Sequence, residues 1–312
     1  MDDDDVVGLR PLLFSIAYRM LGSVSEAEDV VQEAFVREQR ARAEGVQIAS
    51  PKAFLSAVVT RLSIDQLRSA RARREVYAGA WLPEPIFTDE EAIVTDPAGH
   101  AEQADSLSMA FLVLLEQLSP VERAVFLLHD VFAYDYGEIA DAIGKSEANC
   151  RQLASRARHH IDAEKPRFEA SQRDRERLAG RFFAAVEEGD VDGLAEMLAA
   201  DAVVYGDSGG RSPSWPEPIV GRDRVAKLLA GLGRQLGDYE LTLHPRQVNG
   251  QPGAAVRDGQ GRLVNVFAID IVGGVVQTVR SVINPDKLGH LGPLADVRAI
   301  LDERRRSSGP DR

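Results

Sequence analysis

Cysteine is almost missing. One residue in 312, Cys150, excludes an intramolecular disulfide framework and leaves no cysteine-rich zinc site, so no metal and no cofactor is expected. Its place inside a helical pattern, without a thiolate-stabilising neighbourhood, suits a packed small thiol better than a redox sensor. No apolar run approaches the roughly 20 residues needed to span a bilayer. The opening Met1-Asp2-Asp3-Asp4-Asp5 is the reverse of a basic signal-peptide start, so no membrane association and a cytoplasmic location are expected. Positive charge is also scarce: 37 Lys and Arg against 49 Asp and Glu give a net charge of −12, which excludes a protein that coats nucleic acid through a general cationic field. Any DNA contact must be local. No internal repeat is visible.

With 44% hydrophobic residues, the chain can build a normal core in each of two or three domains. From Leu9 to about Arg74 apolar residues recur at three- and four-residue spacing in three runs. Gly22-Ser23 separates the first two, Ser25 with Glu28 offers a capping box for the second, and Ser50-Pro51 opens the third. Between about Tyr77 and Asp105 the period disappears. From Glu84 to Asp105 there are seven acidic residues and no Lys or Arg, so 77–106 reads as an acidic, proline-containing linker anchored through Trp81 and its two prolines. Helical period returns at 107–116 and again after Ser119-Pro120. Beyond Lys165-Pro166 come helices near 175–188 and 192–199. Strand-like runs follow at 202–205, 239–248, 254–257, 263–272 and 275–283, with turns at Asn249-Gly250, Asp258-Gly259 and Gly273-Gly274. Helices followed by an antiparallel sheet make 166–303 an α+β domain, ending in a polar tail, 304–312.

Two segments carry concentrated positive charge. Tyr136 to Arg158 reads as a short helix, a turn at Ile143-Gly144-Lys145 and a second helix opened by Ser146, which is a helix-turn-helix. Ile139, Ala140 and Ile143 form the buried stripe of its first helix. With Ala148, Leu153 and Ala157 inward, Glu147, Asn149, Arg151, Gln152, Ser155, Arg156 and Arg158 are left for DNA. The second segment holds Arg61, Arg68, Arg71, Arg73 and Arg74 against one acid, Asp65, a local balance of +4, with Thr60, Gln66 and Ser69 available for polar contacts. An acidic helix, with Glu26, Glu28, Asp29, Glu33 and Glu38 among Val30, Val31, Phe35 and Val36, fits a protein partner better than DNA.

Taken in order, these stretches resemble a bacterial sigma factor of the extracytoplasmic-function (ECF) class. AYRMLGSVSEAEDVVQEAFVRE is similar to region 2 at its polymerase-binding segment, which implies Asp29, Gln32, Glu33 and Phe35 as contacts to core RNA polymerase. FLSAVVTRLSIDQLRSARARRE resembles the part of region 2 that recognises and opens the −10 promoter element, and LSPVERAVFLLHDVFAYDYGEIADAIGKSEANCRQLASRAR resembles region 4, which reads the −35 element. The resemblance makes 1–76 region 2 and 107–165 region 4. Thr60-Arg61-Leu62 stands where an Arg-Asn pair is common. Trp81-Leu82-Pro83-Glu84-Pro85, Asp207-Ser208-Gly209-Gly210-Arg211 and Asn284-Pro285-Asp286-Lys287-Leu288 resemble signatures of the ECF subgroup with a fused SnoaL-like domain, the mycobacterial SigJ type. Ser208 and Arg211 are departures from its usual Asp-Gly-Gly-Gly-Lys. The implied fold is two all-α sigma domains followed by an α+β SnoaL-like cone with a curved antiparallel sheet. The extension would then be a built-in regulator, with no separate anti-sigma protein required.

SnoaL-like relatives include cyclases and isomerases, whose chemistry needs a base aimed at an acidic C–H. Asp207, His244 and Asp270 are the obvious acid/base candidates here, but no spacing links any two of them, so no catalytic residue is expected. Two other readings stay open: a one-component regulator that senses a small molecule in its α+β domain and binds an operator without polymerase, and a SnoaL-like enzyme carrying a DNA-binding module. A ligand for the C-terminal pocket is not specified by the sequence. The two proline-containing signatures, around Trp81 and at 284–288, are expected to pack together.

Overall fold

Caps set most helix ends of the N-terminal half. Helix α1 (Arg10–Leu21) stops at Gly22, which takes the left-handed conformation (φ 68°) and returns its N–H to Tyr18 O at 2.7 Å. Ser23, not Ser25, caps α2 (Val24–Ala43): its hydroxyl accepts from Glu26 N at 3.2 Å, because one residue between helices leaves no room for a later cap. Helix α3 (Pro51–Arg74) begins on Ser50 and Pro51 as expected. The computed structural model describes residues 6–74, 77, 79–89, 106–164, 172–212, 215, 217–300 and 302; for 70–74, 162–164 and 172 only the backbone is described. The chain forms two compact units, 1–76 with 91–165, and 77–90 with 166–312.

In the first unit α1, α2 and α3 pack around Leu13, Ile16, Tyr18, Met20, Val31 and Leu55. Helix α4 (Met109–Leu115) and α5 (Pro120–Phe126) follow, the latter held by a reciprocal Ser119–Glu122 capping box and running into a π-helical turn, Leu127–Val131. Helix α6 (Tyr136–Ile143) has its own box from Asp135 and Glu138, and ends at Gly144 with φ 66°. Ser146 then caps α7 (Glu147–Glu164), accepting from Asn149 N at 3.3 Å.

The second unit holds α8 (Gln172–Glu188) and α9 (Val191–Met197), which leads into β1 (Leu198–Asp207). Then come β2 (Ile219–Val220), α10 (Arg222–Asp238), β3 (Thr242–Val248), β4 (Gln251–Arg257), β5 (Leu263–Val272) and β6 (Val275–Val282). The strands form one sheet in the order β2-β1-β6-β5-β4-β3, antiparallel except between β1 and β6, which run parallel. Two-residue turns at Asn249-Gly250 and Gly273-Gly274, all four residues at positive φ, close the β3–β4 and β5–β6 hairpins. The three helices cover one face, where Phe182, Phe183, Leu194, Val225, Leu229, Ile269 and Ile271 form the core. Helix α10 was not anticipated. Its apolar residues Val225, Ala226, Leu229 and Ala230 do follow a helical stripe, but Gly231, Gly233 and Gly237 lower its intrinsic propensity. Gly233 shows why glycine is present: a Cβ there would lie 1.5 Å from Val186 O, so this close approach to α8 admits nothing larger.

Candidate nucleic-acid interface

Helix α7 presents two faces. Cys150, Leu153, Ala154, Ala157 and Ile161 are buried at three- and four-residue spacing, whereas Glu147, Asn149, Arg151, Gln152, Ser155 and Arg156 are exposed. Ala148, expected inward, is exposed; the buried stripe that holds Leu153 and Ala157 begins two residues later, at Cys150, on the opposite side of the helix. Burial raises the Cys150 thiol above its ordinary pKa, consistent with a packed, protonated side chain. In α6 the buried residues are Ile139, Ala140 and Ala142, while Ile143 is only half-buried.

The basic residues of α7 have different surroundings. Arg151 pairs with Glu147 one turn earlier at 2.5 Å and lies over the Tyr136 ring at 5.2 Å. Arg158 forms a two-pronged pair with Asp130 at 2.7 and 3.1 Å, and so ties α7 to the π-helical turn. That pairing holds its guanidinium above its usual pKa. Arg158 is thus occupied within the fold, whereas Arg156 lies on the exposed face with Asn149, Gln152 and Ser155.

On α3, Asp65 and Arg68 pair with each other at 3.2 Å and are both exposed. Thr60 is not available for the polar contact expected of it: it is fully buried, its hydroxyl donating to Ser56 O at 2.7 Å. The side chains of Arg71, Arg73 and Arg74 lie outside the described residues. Arg61 reaches the carboxyl end of α6, where Nε donates to Ala142 O at 2.6 Å and Nη2 to Asp141 O at 2.8 Å. Those carbonyls have no partner within the helix, so a guanidinium there fills a C-cap role.

On α2, Asp29 and Gln32 are exposed and Glu33 and Phe35 half-buried; Glu33 pairs with Arg37 at 2.8 Å. Val36, 38% exposed, extends the outward stripe of Asp29, Gln32 and Glu33 at helical spacing. Glu38 is buried and paired with Arg42, which makes it part of the fold and not of that surface.

The three signature motifs of the second unit converge on Asp207, which is fully buried at the end of β1. Its carboxylate accepts from Tyr77 Oη at 2.5 Å, Leu82 N at 2.8 Å, Gly209 N at 3.2 Å and Lys287 Nζ at 2.7 Å. Lys287 also donates to Leu82 O and lies over the rings of Trp81 (4.4 Å) and Tyr77 (4.9 Å). Asn284 Nδ2 donates to Tyr77 Oη at 2.8 Å. Gly209, at φ 55°, is needed here, since a Cβ would stand 2.4 Å from that Asn284 nitrogen. Burial, then the hydrogen bond to Asp207, raises the Tyr77 pKa strongly.

Beyond this hub the linker behaves as a further edge element. Leu82 to Phe87 are buried; Ile86 N donates to Asn249 Oδ1 at 2.9 Å, Asn249 N to Ile86 O at 2.8 Å, and Thr88 N to Gln247 O at 2.9 Å beside the edge strand β3. His290 meets Pro85 O at 2.7 Å, and Arg246 pairs with Asp89 while lying over Phe87. The packing of the Trp81 and 284–288 signatures is therefore present in the fold. Tyr77, Asn249 and His290 were not foreseen as partners, because nothing in their local sequence marks them.

None of the three acid/base candidates is placed for catalysis. Asp207 is saturated with donors. Asp270 is buried against Arg280 and accepts from Gln251 at 2.5 Å, and His244 is exposed, bonded to Thr242 on the edge strand. They stand on β1, β5 and β3 and share no site.

Three family descriptions match in order: Sigma-70 region 2 over 6–73, Sigma-70 region 4 over 108–161 and a SnoaL-like domain over 179–281. The chain is 38% identical over 312 residues to the ECF RNA polymerase sigma factor SigJ of Mycobacterium tuberculosis, with 96% of each chain covered. It is 33% identical to the probable ECF sigma factor SigI of the same species, covering 90% of this chain and 93% of that one. The crystal structure of M. tuberculosis SigJ superposes with a TM-score of 0.72 at 34% identity, over 94% of this chain and all of that one. The protein belongs to the ECF RNA polymerase sigma factors that carry a C-terminal SnoaL-like domain, and it serves promoter recognition and transcription initiation.

Proposed function

We propose that α7 reads the −35 element through Asn149, Arg151, Gln152, Ser155 and Arg156, with Glu147 orienting Arg151. In the same reading α3 serves the −10 element through Arg61, Asp65, Arg68, Arg71, Arg73 and Arg74, and Asp29, Gln32, Glu33 and Phe35 on α2 dock on core RNA polymerase. The observation that carries this is the division of α7 into an apolar buried stripe and a polar exposed one that ends in Arg156. Such a face supplies bidentate and amide donors to base edges, while the acidic remainder of the chain leaves general phosphate attraction to the polymerase. Arg158, engaged with Asp130, steadies the reading helix.

The SnoaL-like unit regulates in cis by holding the linker on its own sheet, which controls how the segment between the two sigma regions is shared out. No separate anti-sigma protein is needed for that device. Run-off transcription from promoter DNA by core polymerase and the full chain tests the whole reading. Arg156→Ala should weaken the preference for the −35 sequence, and Asp207→Asn should alter output without changing the promoter chosen. Tight, sequence-selective DNA retention without core, and no transcript with it, would point instead to a one-component regulator.

A further inference from the structure

Two of the signature motifs that hold the linker also wall a cavity of about 180 Å³. Pro285 and Leu288 line it, while Lys287 between them bonds to Asp207 and Leu82 O, and Asn284 before them bonds to Tyr77 Oη. Arg211 lines it as well, two residues after Gly209, whose N–H is donated to Asp207. The opposite walls are Leu263 and Val264 at the start of β5 and the segment from Leu294 to Arg298. That segment is fastened to the strand: Leu263 N donates to Pro293 O at 2.8 Å, and Ala295 N to Leu263 O at 3.0 Å. None of these wall residues belongs to the core between the sheet and the helices, where Phe182, Phe183, Leu194 and Ile269 pack.

The lining combines two chemistries. Leu263, Val264, Ile283, Pro285, Leu288 and Leu294 make an apolar floor, and the exposed Arg211 and Arg298 bring two guanidiniums to its rim. Neither guanidinium is committed as Arg158 is. Arg211 Nη2 stands 3.1 Å from Asp286 with both side chains mostly in solvent, and Arg298 Nη2 meets Gly210 O at 3.5 Å, the outer limit of a hydrogen bond. Asp296, the acid among these wall residues, spends its carboxylate on Ala299 N at 3.0 Å. A planar guanidinium binds a carboxylate through two parallel N–H···O bonds, each stronger than a bond to a neutral carbonyl. An apolar hollow with such groups at its mouth fits a small organic acid with an apolar body. Size sets the upper limit, since drug-sized ligands occupy pockets of about 300–1,000 Å³.

We infer that this cavity is an effector site for a small apolar carboxylate, held by Arg211 and Arg298 with its body on Leu263, Ile283 and Leu288, and that its occupancy tightens the linker on the sheet. The coupling follows from the shared turn. Pro285 and Leu288 are positioned by Asn284 and Lys287, which bond to Tyr77 and Leu82 of the linker, so the cavity wall is complete when the linker is seated. A ligand that binds this state better shifts the population toward it, and the seated linker raises ligand affinity by the same factor. The site stands on its own geometry; its effect on transcription rests on the cis-regulatory reading proposed above.

The test titrates the full chain by calorimetry with benzoate, with acetate, which has the charge without the body, and with benzyl alcohol, which has the body without the charge. Benzoate should saturate one site, and the other two should bind about tenfold more weakly or worse. Arg211→Gln combined with Arg298→Gln should weaken benzoate about tenfold, and Ile283→Trp, which fills the hollow, should remove binding; circular dichroism checks that each variant is folded. Saturating benzoate should slow hydrogen exchange at Leu82 several-fold, and Asp207→Asn, which loosens the linker, should weaken benzoate. Lack of saturable benzoate binding, or equally tight benzyl alcohol, would overturn the site, and binding without slowed exchange at Leu82 would overturn the coupling. Affinity gained on removal of 304–312 would make the chain's own tail the occupant and overturn the effector role. Slowed exchange with unaltered run-off transcription would leave the site standing and overturn the cis-regulatory reading instead.

Discussion

Replacing Asp207 by Asn perturbs a single buried charge and preserves side-chain volume. In the folded protein that carboxylate neutralises Lys287, which is 7% exposed, and accepts from the Leu82 amide, so it fixes the linker to the sheet from both sides. Removing one partner of a buried, hydrogen-bonded ion pair typically destabilises by about 3–5 kcal/mol, since the remaining charge stays desolvated and unpaired. Asparagine keeps a neutral acceptor for Leu82 N and Lys287 only by turning its NH2 donor toward Tyr77 Oη and Gly209 N. At 1.4 kcal/mol per decade, Leu82 amide protection should fall by roughly two to three and a half orders of magnitude. Hydrogen exchange of the full chain, read at Leu82 and at Val266 within β5, distinguishes linker release from global unfolding: Leu82 should accelerate far more than Val266. Adding Lys287→Met removes the orphaned charge and should return part of the protection, a coupling that a double-mutant cycle measures. Equal protection of Leu82 in the wild type and Asp207→Asn would refute the idea that this pair holds the linker.

Further outcomes follow from neighbouring geometry. Gly209→Ala should mimic Asp207→Asn in exchange at Leu82, because its Cβ collides with Asn284 and its φ is positive; a calorimetric Tm unchanged from wild type would contradict this. Tyr77 has its folded pKa raised, so the folded state retains a proton that the unfolded state gives up near pH 10; stability should be constant below that value and fall above it, and Tyr77→Phe should remove that loss, as read by denaturant unfolding across pH 8–11. Arg156→Ala should weaken −35 binding by about 1–3 kcal/mol if its base contact is bidentate, measured as sequence-dependent affinity at fixed salt. Arg158→Ala should lower the Tm of the first unit before it alters −35 preference, and a pure specificity change would count against its pairing with Asp130.

Local chemistry wrote much of this molecule into its sequence. The breaks at Gly22 and Gly144, the caps at Ser50, Ser119 and Ser146 and the hairpin turns at Asn249-Gly250 and Gly273-Gly274 depend on residues close in the chain, so spacing reveals them. The amphipathic character of α7 was legible for the same reason, although its phase was misplaced at Ala148. Helix α10 was hidden because its glycines answer to Val186 on another helix, a requirement that only packing imposes. Charge alone marked Arg61, Arg156 and Arg158 as equivalent. Tertiary structure divided them: Arg61 caps α6, Arg158 is held by Asp130, and Arg156 stays on the open face. Asp207 and Lys287 are 80 residues apart and Tyr77 is 130 from Asp207, so their shared hub arises only when β1, the linker and the turn after β6 come together. The sequence by itself determined which segments carry charge and where helices begin. Only the fold decided which of those charges are spent within the protein, because pairing depends on distance in space and on exclusion of water, neither of which is a property of neighbouring residues.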